Sequence, residues 1–376
     1  MDKLVSARLG DLVKVFIGGD APKEYTKEAS DENTVPIFSN GIEKEGLYGY
    51  TCSPKVEGDS VTISARGNVG AAFYRDKPFV PIVRLLALIP NRSLINAKYL
   101  YYLLKLDSII STGAAQQQIT APQIKKHRIT YFSDISYQNS IVAILSAYDS
   151  LIDNNQKRIK LLEQMAENLY KEWFVKFRFP GYENAEFEGG LPKEWKQVTL
   201  GDYANVIMGQ SPESCFYNND KQGLPFHQGV GSYGDFYLQD DVYSTEGKRI
   251  AGANSIIFSV RAPVGRINIT LNRIILGRGV AGINAKNGNN AFLLWLLKNK
   301  FAKEDIIGNG AIFTSVTKDE LLGQKILIPT KEIEESFNTL ASNIEKEIRF
   351  LTLQKDNLTH QRDLLLPRLM SGKLSI

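Results

Sequence analysis

Two arginines share the frame R-x-x-V-G, each directly after a short apolar run. Ser60-Val-Thr-Ile-Ser64 leads to Arg66-Gly-Asn-Val-Gly70, and Ser255-Ile-Ile-Phe-Ser259 leads to Arg261-Ala-Pro-Val-Gly265. A guanidinium held on such a turn can fork onto guanine O6 and N7 or grip a phosphate. Asn68 and Arg266 lie in or beside these turns, and Arg278 stands in Gly277-Arg-Gly279. Gln116, Gln117, Gln118 and Thr120 run just ahead of the basic stretch Lys125-Lys126-His127-Arg128, so amides suited to adenine sit near charges suited to phosphate. Gln210, Ser211, His227, Gln228, Tyr233 and Tyr237 crowd a glycine-rich region, of the kind in which a loop comes close to a DNA backbone. Each has a bland reading beside the functional one. The arginines can be surface residues at tight turns, since a duplicated fold duplicates its structural turns as well. The basic run reads as a solvated face, and His227 alone is more often a hydrogen-bonded structural residue.

No catalytic constellation accompanies these residues. Gly247-Lys248-Arg249 and Gly372-Lys373-Leu374 lack the upstream glycine and the Ser or Thr of a phosphate loop. There is no G-x-S-x-G, no H-E-x-x-H, and no Asn-Pro-Pro or Asp-Pro-Pro tetrapeptide of the kind amino-methyltransferases use. Cys52 and Cys215, with His127, His227 and His360, show neither C-x-x-C nor H-x-x-x-H spacing, so neither a disulfide framework nor a metal site is indicated. No apolar signal core follows Met1 and no apolar run reaches about 18 residues, so the chain is expected in the cytoplasm, with no membrane partner. At 376 residues, 43% hydrophobic and 23% charged, it is long enough for two ordinary folded domains. A net charge of +4 permits nucleic-acid binding without demonstrating it.

The elements that must position these side chains are read from periodicity. Ile141, Tyr148, Asn155, Leu162 and Leu169 recur every seventh residue, with Leu145, Ile152, Ile159, Ala166 and Trp173 as a second row, which is the spacing of a coiled-coil seam. Phe337, Ile344, Leu351, Leu358 and Leu365, with Ala341, Ile348, Lys355, Arg362 and Leu369, repeat both rows at an offset of 196. The flanking segments repeat too: Leu9-Gly10-Asp11 as Leu200-Gly201-Asp202, and Leu100, Leu103, Leu104 and Lys105 as Leu293, Leu296, Leu297 and Lys298, on short helices that Asn96 and Asn290 are placed to cap. Gly113 to Thr120 matches Gly310 to Thr317.

The expected plan is therefore α+β, with a pseudo-two-fold internal repeat: a globule over 1–133, a coiled-coil helix over 134–178, a linker over 179–190, a second globule over 191–330, and a second helix with a C-terminal tail over 331–376. The seam from Ile141 to Trp173 is 33 residues, or roughly 50 Å at about 1.5 Å per residue. Full antiparallel overlap keeps the sum of facing residue numbers at 510, which sets Ile141 against Leu369, Trp173 against Phe337, Asn155 against Lys355 and Tyr148 against Arg362.

At this point the motifs resemble a known family. Leu191-Pro-Lys-Glu-Trp195 leading to Leu200-Gly-Asp202, Met208-Gly-Gln-Ser-Pro212, Ser259-Val-Arg-Ala-Pro-Val-Gly265, Gly277-Arg-Gly279, Leu169-Tyr-Lys-Glu-Trp-Phe174 and Leu366-Pro-Arg-Leu-Met-Ser-Gly372 are similar to the DNA-specificity subunits of type I restriction-modification systems. The first globule departs from the pattern, with no L-P-x-x-W entry and Gly-Asn where the second has Ala-Pro. The resemblance implies two target-recognition globules reading the halves of a bipartite site in double-stranded DNA, separated by two antiparallel spacer helices that also dock partners. It implies a non-catalytic chain without a cofactor of its own. Two modification subunits using S-adenosylmethionine would methylate an adenine, and restriction subunits would join for ATP-dependent cleavage. A reading of another class stays open at this stage: a coiled-coil scaffold whose globules bind proteins. A self-sufficient methyltransferase is disfavoured by the missing motifs.

Overall fold

Ser60–Ile63 and Ile256–Ser259, the runs that precede the two R-x-x-V-G turns, are buried along their whole length. Their β-branched and aromatic side chains suit a pleat covered on both faces. The computed structural model describes residues 4–107, 118–302, 315–374 and 376. In it each run is an inner strand of a four-stranded antiparallel sheet. The first sheet is ordered Val13–Ile17, Leu86–Pro90, Ser60–Ile63, Ala72–Arg75, and the second Ala204–Met208, Val280–Ala285, Ile256–Ser259, Ile267–Ile269. The strand orders correspond element for element, so the repeat in sequence is a repeat of topology. A parallel pairing recurs beside each sheet, Ile37 with Val80 and Phe226 with Ile275. An antiparallel ribbon joins the first residues of each globule to its last, Leu4–Arg8 with Arg128–Phe132 and Lys196–Thr199 with Lys325–Ile328.

The short helices are Ala97–Leu106 and Asn290–Lys300. Asn96 caps the first as expected, its Oδ1 accepting from the Lys98 and Tyr99 amides at 2.8 and 3.0 Å. Asn290 does not cap the second. It already lies within the helix, and its Oδ1 accepts instead from the Ala285 amide at the end of the preceding strand, at 2.8 Å. The orphan amides of Ala291 and Phe292 are taken by Asn338 Oδ1 at 3.1 and 3.2 Å.

The heptad segments form the helices Ile135–Tyr170 and Lys331–Met370. Each contributes to both compact units of the chain, Met1–Asp153 with Lys355–Ile376, and Asn154–Gln354. The compact division therefore does not alternate globule and helix; each unit holds one globule and a length of both helices. In the first unit, Ile141 and Leu145 share a core with Leu366 and Leu369, together with Leu100 and Tyr131. In the second, Ile159, Ala166 and Trp173 share a core with Phe337, Ala341, Ile344, Ile348 and Leu351. Trp173 lies 5.8 Å from Phe337 between ring centroids, in the antiparallel register expected. Such an aromatic pair is worth about 0.5–1.5 kcal/mol beyond the area it buries. Ile141, Asn155, Ile344 and Leu351 are buried; Tyr148, Leu162, Leu169, Lys355, Leu358 and Arg362 are half-buried.

Asn155 and Arg362 bond to partners other than those the facing positions name. Asn155 Nδ2 donates to Gln354 Oε1 at 2.9 Å, within the second unit. Arg362 Nη1 donates to Asp149 Oδ1 at 2.8 Å, within the first. Long side chains beside the seam reach inward, and an oxygen acceptor satisfies a buried amide or guanidinium better than the Tyr148 ring does.

One polar anchor recurs at the offset of the heptads. Gln138 is fully buried, donates to the Phe132 and Leu94 carbonyls at 2.8 and 3.1 Å, and accepts from the Asn96 amide at 2.8 Å. Glu334, buried at the matching position of the second helix, accepts from Tyr203 Oη, Asn287 Nδ2 and Asn289 Nδ2 at 2.6, 2.7 and 2.6 Å. At this matched position each globule is tied to its own unit's helix, by a neutral amide in one case and a carboxylate in the other. The segment 179–190, expected as a linker from its polar composition, is docked. Phe179 is buried with its ring 5.3 Å from Trp195, and Phe187–Glu188 pairs with Leu191–Pro192.

Candidate nucleic-acid interface

The second globule gathers its loops at one end of the sheet. The ladder from Ile256 opposite Ile283 to Ser259 opposite Val280 is extended by Val260, whose amide donates to the Gly279 carbonyl at 2.9 Å. One residue further on this register stand Arg261 and Arg278, both exposed. The Arg278 amide donates to Ser211 Oγ at 3.1 Å, and the Gln210 amide to the Leu276 carbonyl at 2.8 Å. Gly279 must be glycine, since a Cβ there would lie 2.2 Å from the Gln228 carbonyl oxygen. These contacts place Gln210, Ser211, Gln228, Arg261 and Arg278 in adjoining loops. On the far side of the turn Gly265 takes φ 90°, and the Arg266 amide donates to Ser259 Oγ at 2.8 Å, leaving the Arg266 residue exposed.

The first globule repeats the backbone frame with other side chains. The Ile119 amide donates to the Ala65 carbonyl at 3.0 Å, as the Val316 amide does to the Val260 carbonyl at 2.8 Å. Arg66 Nη2 donates to Gln118 Oε1 at 3.3 Å, and Arg66 and Asn68 are both exposed. A single exposed hydrogen bond contributes little, so the guanidinium and the amide can be released to a ligand at small cost. Thr120 is occupied otherwise: its hydroxyl donates to Gln123 Oε1 at 2.8 Å, capping the helix Ala121–Lys126, as Thr317 does with Glu320. Gln116 and Gln117 lie outside the described residues. His127 sits 2.7 Å from Asp107, while Lys125 and Lys126 are exposed.

Two of the candidate DNA-contacting residues are held by internal contacts, His227 buried and Tyr233 half-buried. His227 is 1% exposed, with Nδ1 2.8 Å from Ser232 Oγ and Nε2 3.0 Å from Asp240 Oδ1, so both ring nitrogens are engaged internally. Burial pushes the Asp240 carboxyl upward, but the hydrogen bonds from His227 and Asn272 hold it below the ordinary value. Tyr233 packs its ring on the small core of Leu238, Ile257 and Leu276, and burial raises its phenol far above the usual range. Tyr237 is buried. Residue type alone does not separate these from exposed neighbours such as Gln228. Conversely, Asn40 was not singled out by the frame, although Asn-Gly after an apolar strand is a turn signal. Its Nδ2 donates to the Val83 carbonyl at 2.6 Å and its Oδ1 accepts from the Ala65 amide at 2.7 Å.

Among the described residues no group of three or more His, Cys, Asp or Glu is placed to hold a metal ion, and no helix is long and apolar enough to cross a membrane. The family model described as Type I restriction modification DNA specificity domain matches residues 1–164 and 192–358. The MjaX specificity subunit assigned to a type I restriction enzyme of Methanocaldococcus jannaschii is 31% identical over 330 residues, which is 84% of this chain and 77% of that one. The type I restriction enzyme MjaIX specificity subunit of the same organism is 24% identical over 390 residues, covering 97% of this chain and 89% of its own. In fold, the chain is similar to the crystal structure of the type I restriction-modification S subunit from M. genitalium, with a TM-score of 0.66 at 16% identity, covering 98% of this chain and 96% of that one. Matched across both repeats by a single family model, the chain belongs to the type I restriction-modification DNA specificity family, as a specificity subunit.

Proposed function

We propose that each globule reads one half of a bipartite, asymmetric site in double-stranded DNA, and that the paired helices set the spacing of the halves and dock two modification subunits. The chain itself makes and breaks no bonds. It directs adenine methylation, the methyl transfer from S-adenosylmethionine belonging to the modification subunits, and restriction subunits join the same assembly for ATP-dependent cleavage. The observation that carries this reading is the loop pair at the end of each sheet. The backbone frame is shared, while the side chains differ: Arg66 with Gln118 in one globule, Arg261 with Arg278 in the other. Arginine reads guanine and glutamine reads adenine in the major groove, so two such loops on one frame select different bases at two places.

The test uses this chain co-purified with its modification subunit. Affinity for duplex DNA should fall linearly with salt on a log–log scale, as phosphate neutralisation requires. A complex with no DNA affinity to lose at low salt would instead mark the globules as protein-binding modules.

A further inference from the structure

The first globule holds a turn that the sequence frame does not reveal. Val83 and Arg84 both adopt positive φ, at 52° and 61°. That conformation is unfavourable for any L-residue and most of all for a β-branched one. Val83 is nevertheless 52% exposed, so burial of its side chain does not offset the strain, and Arg84 is exposed beside it. The backbone is held there by close contacts on every side. The Val83 amide donates to the Gly19 carbonyl at 2.8 Å, the Arg84 amide to the Gly18 carbonyl at 3.0 Å, and the Leu85 amide to the Ile82 carbonyl at 3.0 Å. Gly18 leaves no room for a side chain, since a Cβ would lie 2.8 Å from the Pro81 carbonyl carbon.

Asn40 links this turn to the arginine loop. In the second globule the rung beyond the sheet is made directly, from the Val260 amide to the Gly279 carbonyl. In the first, continuing the register of Ile63 opposite Leu86 sets Ala65 opposite Arg84, and the Asn40 side chain is inserted in place of that rung. It binds the Ala65 amide and the Val83 carbonyl together. Arg66, Val83 and Arg84 are thus carried on one asparagine-bridged pair of loops. Arg84 and Val83 occupy the place that Gly279 and Arg278 occupy in the second repeat.

We infer that the Val83–Arg84 turn is a second base-reading element of the first globule, with Asn40 as the positioning residue that fixes it relative to Arg66. This rests on the DNA-reading role proposed above. Arg84 supplies a guanidinium that meets no carboxylate among the described residues, and Val83 supplies a methyl surface suited to a thymine C5-methyl.

The experiment measures methylation of a randomised library of bipartite sites by the complex with its modification subunits, alongside melting temperature. Arg84→Ala should weaken preference at one base pair of a single half-site by about tenfold, with the other half-site unchanged as an internal control. Val83→Gly should relax selectivity in that same half-site while leaving melting unchanged or raised, since glycine accepts the positive φ. Asn40→Ala should relax the positions dependent on Arg66 and on Arg84 together. If the wild-type complex reads two half-sites but Arg84→Ala and Val83→Gly leave both profiles intact, the inference is wrong while the bipartite reading stands. If the wild-type complex selects no bipartite site, the underlying reading fails first.

Discussion

Arg362 Nη1 lies 2.8 Å from Asp149 Oδ1, and Tyr102 donates its hydroxyl to the other oxygen of the same carboxylate. The pair joins the C-terminal helix to the first globule's helix partner within one unit, with side chains only 15% and 26% exposed. Asp149→Ala would remove this acceptor from the Tyr102 hydroxyl and leave Arg362 with Asp363 as its remaining carboxylate. The expected cost is about 1–3 kcal/mol in chemical denaturation. Asp149→Ala combined with Arg362→Ala should cost less than the two singles added, because the residues share one interaction. Additive effects would show that the pair contributes nothing of its own.

Asn155 is buried and its amide is satisfied by Gln354. A buried polar residue in the seam, held by a partner from beside it, lowers stability while fixing alignment. Asn155→Leu with Gln354→Leu should raise stability by about 1 kcal/mol and broaden the range of spacer lengths that the assembled complex accepts. A stabilised chain with an unchanged spacer requirement would remove the register role from this pair.

Arg261 and Arg278 stand at facing register positions beyond the same strand pair, both exposed. Replacing either with alanine should weaken DNA binding by about 1–3 kcal/mol if it reads a base, with melting unchanged. Normal binding with lowered melting would assign the arginine to the fold instead.

The heptads and the R-x-x-V-G frame were legible because both are spacing signals. Seven-residue steps survive any choice of surface residue, and the frame recurs with its strand in each globule. The antiparallel register was legible for the same reason, as Trp173 against Phe337 shows. The polar partners were not, because Gln354 and Asp149 lie beside the seam rows and reach in with flexible side chains that facing positions do not count. His227 and Gln228 are neighbours of similar polarity, and only the packing of Ser232 and Asp240 buries one of them. Val83–Arg84 gave no turn signal, since neither residue type favours positive φ; tertiary hydrogen bonds impose it.

Burial pushes the Glu345 carboxyl up to about 7, with Lys298 pulling the other way. The folded chain therefore keeps a proton that the unfolded chain has lost between the ordinary carboxyl range and about 7, so this group makes stability fall as pH rises through that window. Glu345→Gln should remove that fall, leaving the variant more stable than wild type at pH 8 by about 1–3 kcal/mol and equal to it near pH 4. Thermal melting across that range measures it. A variant less stable at pH 8 would show that the carboxylate's attraction to Lys298 outweighs its burial.

The central claim is that two globules of one backbone frame and different loop residues read different bases at two places on one duplex. A genome-wide map of methyladenine in cells expressing this chain with its modification subunits tests it directly. The expected result is one motif of two unlike half-sites separated by a fixed unspecified spacer, lost when this chain is deleted. A single continuous motif, or methylation that persists unchanged in the deletion, would contradict it.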